Sequence, residues 1–281
     1  MSEHDATSDV RRSWDAVAGA WEQHRARLFD GFRHVSEWLV AQADPQPGET
    51  VVDLAAGPGE TGFLAAERVG ERGRVLSTDL APGMVEAAQR GAAARQLDNV
   101  ECRVMDAQAM DLPDDSVDAV ICRLGFMLMP DPGRAMHEVR RILRPGGRLA
   151  YAVIGAPDRN AWMGLMVMSF VSRGHAPSAG DPFGPGGPFS LADPARNAEL
   201  LGAAGFAHVD LHELSGAFEF ADVDDHWNFQ LAIAGPVADL AASVDADELA
   251  EVKKVLGTAM EPHKSGDSYP LSSHLVGVVA S

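Results

Sequence analysis

The sequence predicts an α/β protein whose mostly parallel sheet is covered by helices on both faces. Three observations lead there. Between residues 51 and 154, short apolar runs alternate with amphipathic stretches of helical length. Their junctions carry turn residues, as in GPG at 57–59 and RPGG at 144–147. Hydrophobic residues make up 46% of the 281 positions, enough for a substantial core.

The elements follow in order. Residues 8–42 read as helical, because Trp14, Val17, Trp21, Leu28, Phe32, Val35 and Leu39 recur at helical spacing. DPQPGE at 44–49 ends that pattern. Strands are expected at 51–54, 74–78, 100–105, 117–122 and 148–154, with helices at 60–69, 82–95 and 132–143 between them. Pro82 suits the first turn of its helix, since a proline lacks an N–H that would be unpaired there anyway. Beyond residue 155 the alternation loosens. A methionine-rich helix at 158–172 precedes a Gly/Pro-rich loop at 174–190 and a helix at 193–204. Strand-like segments at 206–213 and 217–221, helices over 223–260 and a last strand at 275–280 complete the chain. An N-terminal helical segment, 1–44, is thus expected before a main domain, 45–281, with cap insertions near 156–192 and 222–262.

Composition excludes several classes. The formal charge of −18, from 41 acidic and 23 basic side chains, repels phosphate backbones, so a nucleic-acid partner is not expected. No stretch reaches the ~18–20 apolar residues of a membrane span. The polar, acidic start MSEHDATSDVRR does not resemble a secretory leader, and a cytoplasmic location is expected. Cys102 and Cys122 fall in buried strands and read as reduced core thiols, with neither a disulfide framework nor a metal site.

In a sheet of this kind ligands bind beyond the carboxyl ends of the strands. The chemistry should lie just after residues 54, 79, 105 and 122. The first strand runs into VVDLAAGPGETG at 51–62, where Gly57, Gly59 and Gly62 allow a sharp turn and close approach of a ligand. This string also fits the dinucleotide pattern G-x-G-x-x-G, so the glycines alone do not choose a cofactor. Asp53 does. A carboxylate beneath the ligand opposes a pyrophosphate but suits an ammonium, and S-adenosylmethionine (SAM) carries an ammonium and a sulfonium without phosphate. Asp79 ends the second strand, where it can accept both ribose hydroxyls, and Leu80 follows to pack on adenine. Asp106 ends the third, placed to accept from the adenine amine while the Ala107 backbone serves the ring nitrogens. Any one acid could be a solvated strand end. Three in succession form a site.

Several ordered blocks resemble the class I SAM-dependent methyltransferases, especially the small-molecule branch that includes the ubiquinone and menaquinone biosynthesis enzymes. They are VVDLAAGPGETG, STDLAPGMVEAA (77–88), DAQAMDLPDDSVDAVICR (106–123) and MPDPGRAMHEVRRILRPGGRLA (129–150), with a C-terminal pair of strands. The resemblance covers roughly 45–155 and implies a Rossmann-like seven-stranded sheet whose last strand runs antiparallel. It implies that Asp53, Ala55, Gly57 and Gly59 hold the methionine moiety. Asp79 and Leu80 would hold ribose and adenine with Met84 nearby, Asp106 and Ala107 would recognise adenine, and Arg123 or Leu124 would line the sulfonium side. RPGG becomes a structural turn into strand five. Two departures stand out. Ala55 replaces the family's first glycine, and Leu128 stands where many relatives carry a histidine that serves as base.

A hydroxyl acceptor needs its proton removed, whereas an activated carbon or a phenolate does not. Candidate bases are His24, His175, His226 and His263, which lie in N-terminal or cap segments. Phe126, Met127 and Leu128 follow strand four; with Met163 and Met166 they could form an adaptable apolar wall, closed by Trp14 and Trp21. The expected activity is SAM-dependent methylation, at O or C, of a small, largely apolar or aromatic acceptor. The alternatives are a non-methylating SAM-binding protein of this fold and an NAD-dependent oxidoreductase. A homodimer is left open.

Overall fold

A computed structural model describes residues 3–176 and 180–281, so residues 177–179 of the first expected cap insertion lie outside the described residues. Seven strands form one sheet: β1 (Thr50–Leu54), β2 (Arg74–Asp79), β3 (Val100–Val104), β4 (Val117–Arg123), β5 (Leu143–Ile154), β6 (Val209–Phe220) and β7 (Tyr269–Ala280). Their order is β3-β2-β1-β4-β5-β7-β6. Neighbours among β1–β5 pair in parallel, and β7 runs antiparallel to both β5 and β6. The sheet is the Rossmann-like one that the family resemblance implied.

The chain winds outward in two directions from the β1/β4 junction. Helices α3 (Glu60–Val69) and α4 (Pro82–Ala94) lead toward β3, and α5 (Pro132–Ile142) leads toward β5. Right-handed crossovers therefore place α3 and α4 on one face and α5 on the other, leaving a crevice over the carboxyl ends of β1 and β4.

The expected single helix over 8–42 is two, α1 (Glu3–Gln23) and α2 (Arg25–Ala43), hinged at His24. The break lets each half bury a different stripe. Helix α1 packs on α4, while α2 lies against α3, β4, β5 and β6. Leu28, Phe32, Val35 and Leu39 on α2 are buried as the periodicity required. Helices α6 (Ala161–Ser172), α8 (Val223–Ile233), α9 (Gly235–Ala242) and α10 (Ala246–Met260) pack on one another, and α7 (Pro194–Ala203) packs beside α5.

Three strand limits differ from expectation. The two segments around Gly216 form one strand, β6, because a Cβ at Gly216 would come 2.3 Å from the His34 ring of α2. Glycine here admits a neighbour and does not end the strand. Strand β7 begins at Tyr269, six residues early, since Pro270 lies beyond the end of β5 and pairs with Glu219 of β6 alone. RPGG is a bulge inside β5: Leu143 pairs with Val117, the register shifts, and Arg148 pairs with Ala119. Gly146 takes φ +79° there. Cys102 and Cys122 are free thiols, and burial pushes that of Cys122 up to about 12.

Candidate active site

The glycine loop leaves β1 through three left-handed residues, Ala55 (φ +50°), Gly57 (+55°) and Gly59 (+93°). A Cβ on Gly59 would come 2.7 Å from Phe63, and one on Gly62 would come 2.7 Å from Asp53 Oδ2. These glycines clear space on both sides of the turn. The Ala56 N–H donates to the Thr78 carbonyl at 2.9 Å and pins the loop against β2. Ala55 holds a left-handed conformation that a glycine would adopt freely, at a steric cost of roughly 1–2 kcal/mol. Ala55→Gly should therefore raise stability by up to about 1 kcal/mol, part of the relief being offset by a freer unfolded chain. Urea denaturation measures it, and a loss of stability would show that Ala55 packing outweighs strain.

Asp53 is 1% exposed, and neither carboxylate oxygen has a hydrogen-bond partner among the described residues. Burial raises its pKa to about 7 against the opposing pull of the Arg123 charge and the Gly62 amide. An orphaned carboxylate under a glycine cradle is what an ammonium-bearing ligand would complete.

Asp79 is committed differently. Its Oδ2 accepts from the Gly57 N–H and its Oδ1 from the Ala81 N–H, both at 2.9 Å. Burial raises its pKa, opposed by these backbone amides and that of Leu80. One carboxylate thus joins the end of β2 to the glycine loop and the start of α4. Asp106 accepts from the Gln108 N–H at 2.9 Å, and the buried Gln108 takes the Asp131 N–H at 2.8 Å. Leu80 and Asp106 remain partly accessible, and Ala107 is buried. Leu124 holds φ +66° while its N–H donates to the Ala152 carbonyl, a strained backbone beside β4. The structure brings the loop residues, Asp79, Leu80, Asp106, Ala107, Arg123 and Leu124 to adjacent strand ends. Met84 is an exception. It is buried against Ala18 and Ala81 beneath α1.

Several residues of this region carried no sequence signal of their own. Arg25 of α2 donates to the Ala87 carbonyl at 2.8 Å, and its guanidinium approaches the buried Glu60 carboxylate at 3.5 Å. Arg95 holds Glu60 from the other side at 2.7 Å. Asp15 of α1 accepts from the Gly83 N–H at the start of α4, at 2.7 Å. Only Glu60 was findable, as an acid in the first turn of a helix. The others are joined to their partners by tertiary contact alone.

Trp14 and Trp21 form an edge-to-face pair at 5.4 Å, and Trp21 donates from its indole to the Ile233 carbonyl at 3.0 Å. A Cβ on Gly57 would meet Trp21 at 4.0 Å, so α1 covers the loop. The expected apolar wall needs correction. Phe126 and Met166 are 0% exposed and Met127 4%, all within the main core. The turn at 126–128 folds back so that Phe126 packs on Tyr151, 4.8 Å between ring centres, and Met127 lies under β5. Leu128 and Met163 keep partial exposure.

The candidate bases also separate. His226 is sealed, its Nε2 donating to the Trp162 carbonyl at 2.8 Å, and burial pushes its pKa down to about 4. That removes it as a solvent-linked base. His175 is tied to Glu248 of α10 at 3.1 Å, and His263 lies in the turn closing α10. His24, at the α1/α2 hinge, stands edge-on to Phe229 at 5.4 Å.

Doubly wound topology with acids at successive strand ends is the arrangement of an enzyme that binds an adenosine-bearing cofactor. The comparisons agree. A family model described as a methyltransferase domain matches residues 45–165. Nocamycin O-methyltransferase of Saccharothrix syringae is 33% identical over 71% of this chain and 73% of its own. Aklanonic acid methyltransferase DauC of a Streptomyces species is 38% identical over 54% of this chain and 67% of its own. Phosphoethanolamine N-methyltransferase 2 of Haemonchus contortus, solved with S-adenosylhomocysteine (SAH), shares the fold at 15% identity and a TM-score of 0.58, over 100% of this chain and 60% of its own. The chain belongs to the class I SAM-dependent methyltransferase family, and SAM is its cofactor. The NAD-dependent oxidoreductase alternative is left without support.

Proposed function

We propose that this enzyme methylates, at O or C, a small, largely apolar or aromatic acceptor of quinone-like or polyketide-like character. The names of the two relatives support the class, as does that of a ubiquinone/menaquinone C-methyltransferase, UbiE of Acidiphilium cryptum, 34% identical over 142 residues. When bound, SAM supplies an electrophilic methyl group on a sulfonium.

The protein's part is to orient, exclude water and balance charge. Asp53 takes the ammonium, with Ala55, Gly57 and Gly59 cradling the methionine moiety. Asp79, held in place by two backbone amides, accepts the ribose hydroxyls, and Leu80 packs on adenine. Asp106 receives the adenine amine beside the Ala107 backbone. Trp14 and Trp21 close the site, where exclusion of water strengthens each of these contacts. Leu128 and Met163 line the acceptor side. A cytoplasmic location belongs to the same proposal; among the described residues no helix is long and apolar enough to cross a membrane.

The observation that carries the reading is the buried Asp53 carboxylate without a partner, directly beneath a loop cleared by glycine. Thermal shift tests the cofactor: SAH should raise the melting temperature in a dose-dependent way, and NAD should not. Incubation with SAM and hydroxylated naphthoquinones and anthraquinones, followed by mass spectrometry, should give singly methylated product. No product across that panel would overturn the acceptor class.

A further inference from the structure

We propose that Arg123 holds the acceptor's reacting oxygen as an oxyanion, so that an acidic phenol or enol is methylated without any protein base. The inference rests on the methyltransferase reading above and adds the charge state of the acceptor. Arg123 is the last residue of β4, the strand paired with β1 and its Asp53. Its Nη1 is buried and has no hydrogen-bond partner among the described residues, and its guanidinium carbon lies 5.5 Å from the centre of the Phe32 ring. Trp162 of α6 stands edge-on to the same ring at 5.6 Å; it is 7% exposed, and its indole N–H is buried without an acceptor. Two unmet donors therefore flank one phenyl ring. Buried donors left unpaired are costly, and an acceptor-bearing ligand at the end of β4 would satisfy that of Arg123.

The charge of that ligand follows from its neighbours. The sulfonium is a cation, so a guanidinium facing it alone would be repelled. Asp53 and Glu60 attract Arg123 electrostatically, yet neither accepts from Nη1. A phenolate or enolate oxygen fits, because donation from a guanidinium is strong and favours the ionised form. This also accounts for Leu128 at the usual place of the histidine and for His226 being sealed. On binding, the acceptor's proton passes to bulk water. The oxyanion's lone pair then forms the O–C bond, the C–S pair stays with sulfur, and both charges are neutralised.

Alizarin, a dihydroxyanthraquinone whose ionised form absorbs at longer wavelength, reads the charge state directly. It would be titrated into the full-length enzyme saturated with SAH, at a pH where the free dye is neutral. The bound dye should show the ionised spectrum on the wild type and the neutral one on Arg123→Gln. In the methylation assay, the acid limb of the kcat/KM profile should move up by about one to three pH units in that variant. Arg123→Lys, which keeps the charge, should restore part of the ionised spectrum and carries the test if the Gln variant does not fold. SAH affinity by calorimetry should fall by less than about tenfold in Arg123→Gln, because Arg123 also favours the ionised Asp53 that takes the ammonium, and should stay within about threefold in Arg123→Lys, which keeps that charge. An ionised dye on Arg123→Gln would overturn the inference. So would a loss of SAH affinity of at least about tenfold, which would place the guanidinium on the cofactor's carboxylate. If the wild type binds SAH but leaves the dye neutral, the inference falls and the methyltransferase reading stands. If it binds no SAH, that reading falls first.

Discussion

Asp53→Asn is expected to weaken SAM binding by at least about 30-fold while leaving the ligand-free protein no less stable at pH 8, since the variant loses a charge-assisted contact but also a buried charge. The two halves of this result have one cause. Asp53 has an ordinary carboxyl pKa in the unfolded chain and one of about 7 in the fold. Below the unfolded value both states are protonated and the group is neutral to stability. As pH rises through the acidic range, the unfolded chain releases its proton while the fold retains it, so stability falls until the folded group also ionises near pH 7. The whole loss is on the order of 4 kcal/mol. Arg123, Asp79, Cys122 and the Gly62 amide surround the group, and only the first and last favour its ionised form. An ammonium would supply what is missing. SAM affinity should therefore rise as pH passes through 7 in the wild type and lose that step in the variant. Calorimetry over a pH series with thermal melts measures both, and a variant that melts well below wild type at pH 8 would contradict the account.

Asp79→Ala should be the more damaging substitution, because this carboxylate serves the protein and the ligand together. Without it the Gly57 and Ala81 amides lose their acceptors, and the ends of β2, the glycine loop and α4 are no longer tied. Each bond from an amide to a charged acceptor contributes about 1.5–3 kcal/mol, so with partial rehydration a loss of about 2 kcal/mol or more is expected in urea titrations. Loss of the ribose contacts should weaken SAH by about 100-fold. Asp79→Asn, which keeps one acceptor oxygen, should lie between. If Asp79→Ala bound SAH as tightly as wild type, the ribose assignment would be wrong.

Much of this site was readable before the structure. Alternating strands and helices gave the sheet, and an acid at each of three strand ends marked where the chemistry is proposed to lie. The signal was local: a strand, a turn and the next residue. The apolar wall was less legible. Phe126, Met127 and Met166 share their composition with a binding surface, and hydrophobic residues at a strand end can face a ligand or a core. The backward turn at 126–128 sends the first two into the core. His226 was one of four equivalent histidines by sequence, and burial against the Trp162 carbonyl distinguished it.

By itself, the sequence determined the order of the strands' chemistry, the glycine cradle and the three acids, because each depends on neighbours within a few positions. The tertiary structure alone decided which buried groups remain unpaired and where α1 and α2 lie across the crevice. It also decided which aromatic rings Arg123 and Trp162 face. Those properties arise when residues distant along the chain are brought together and water is removed from between them. The cost of an unmet buried charge or donor exists only after that assembly.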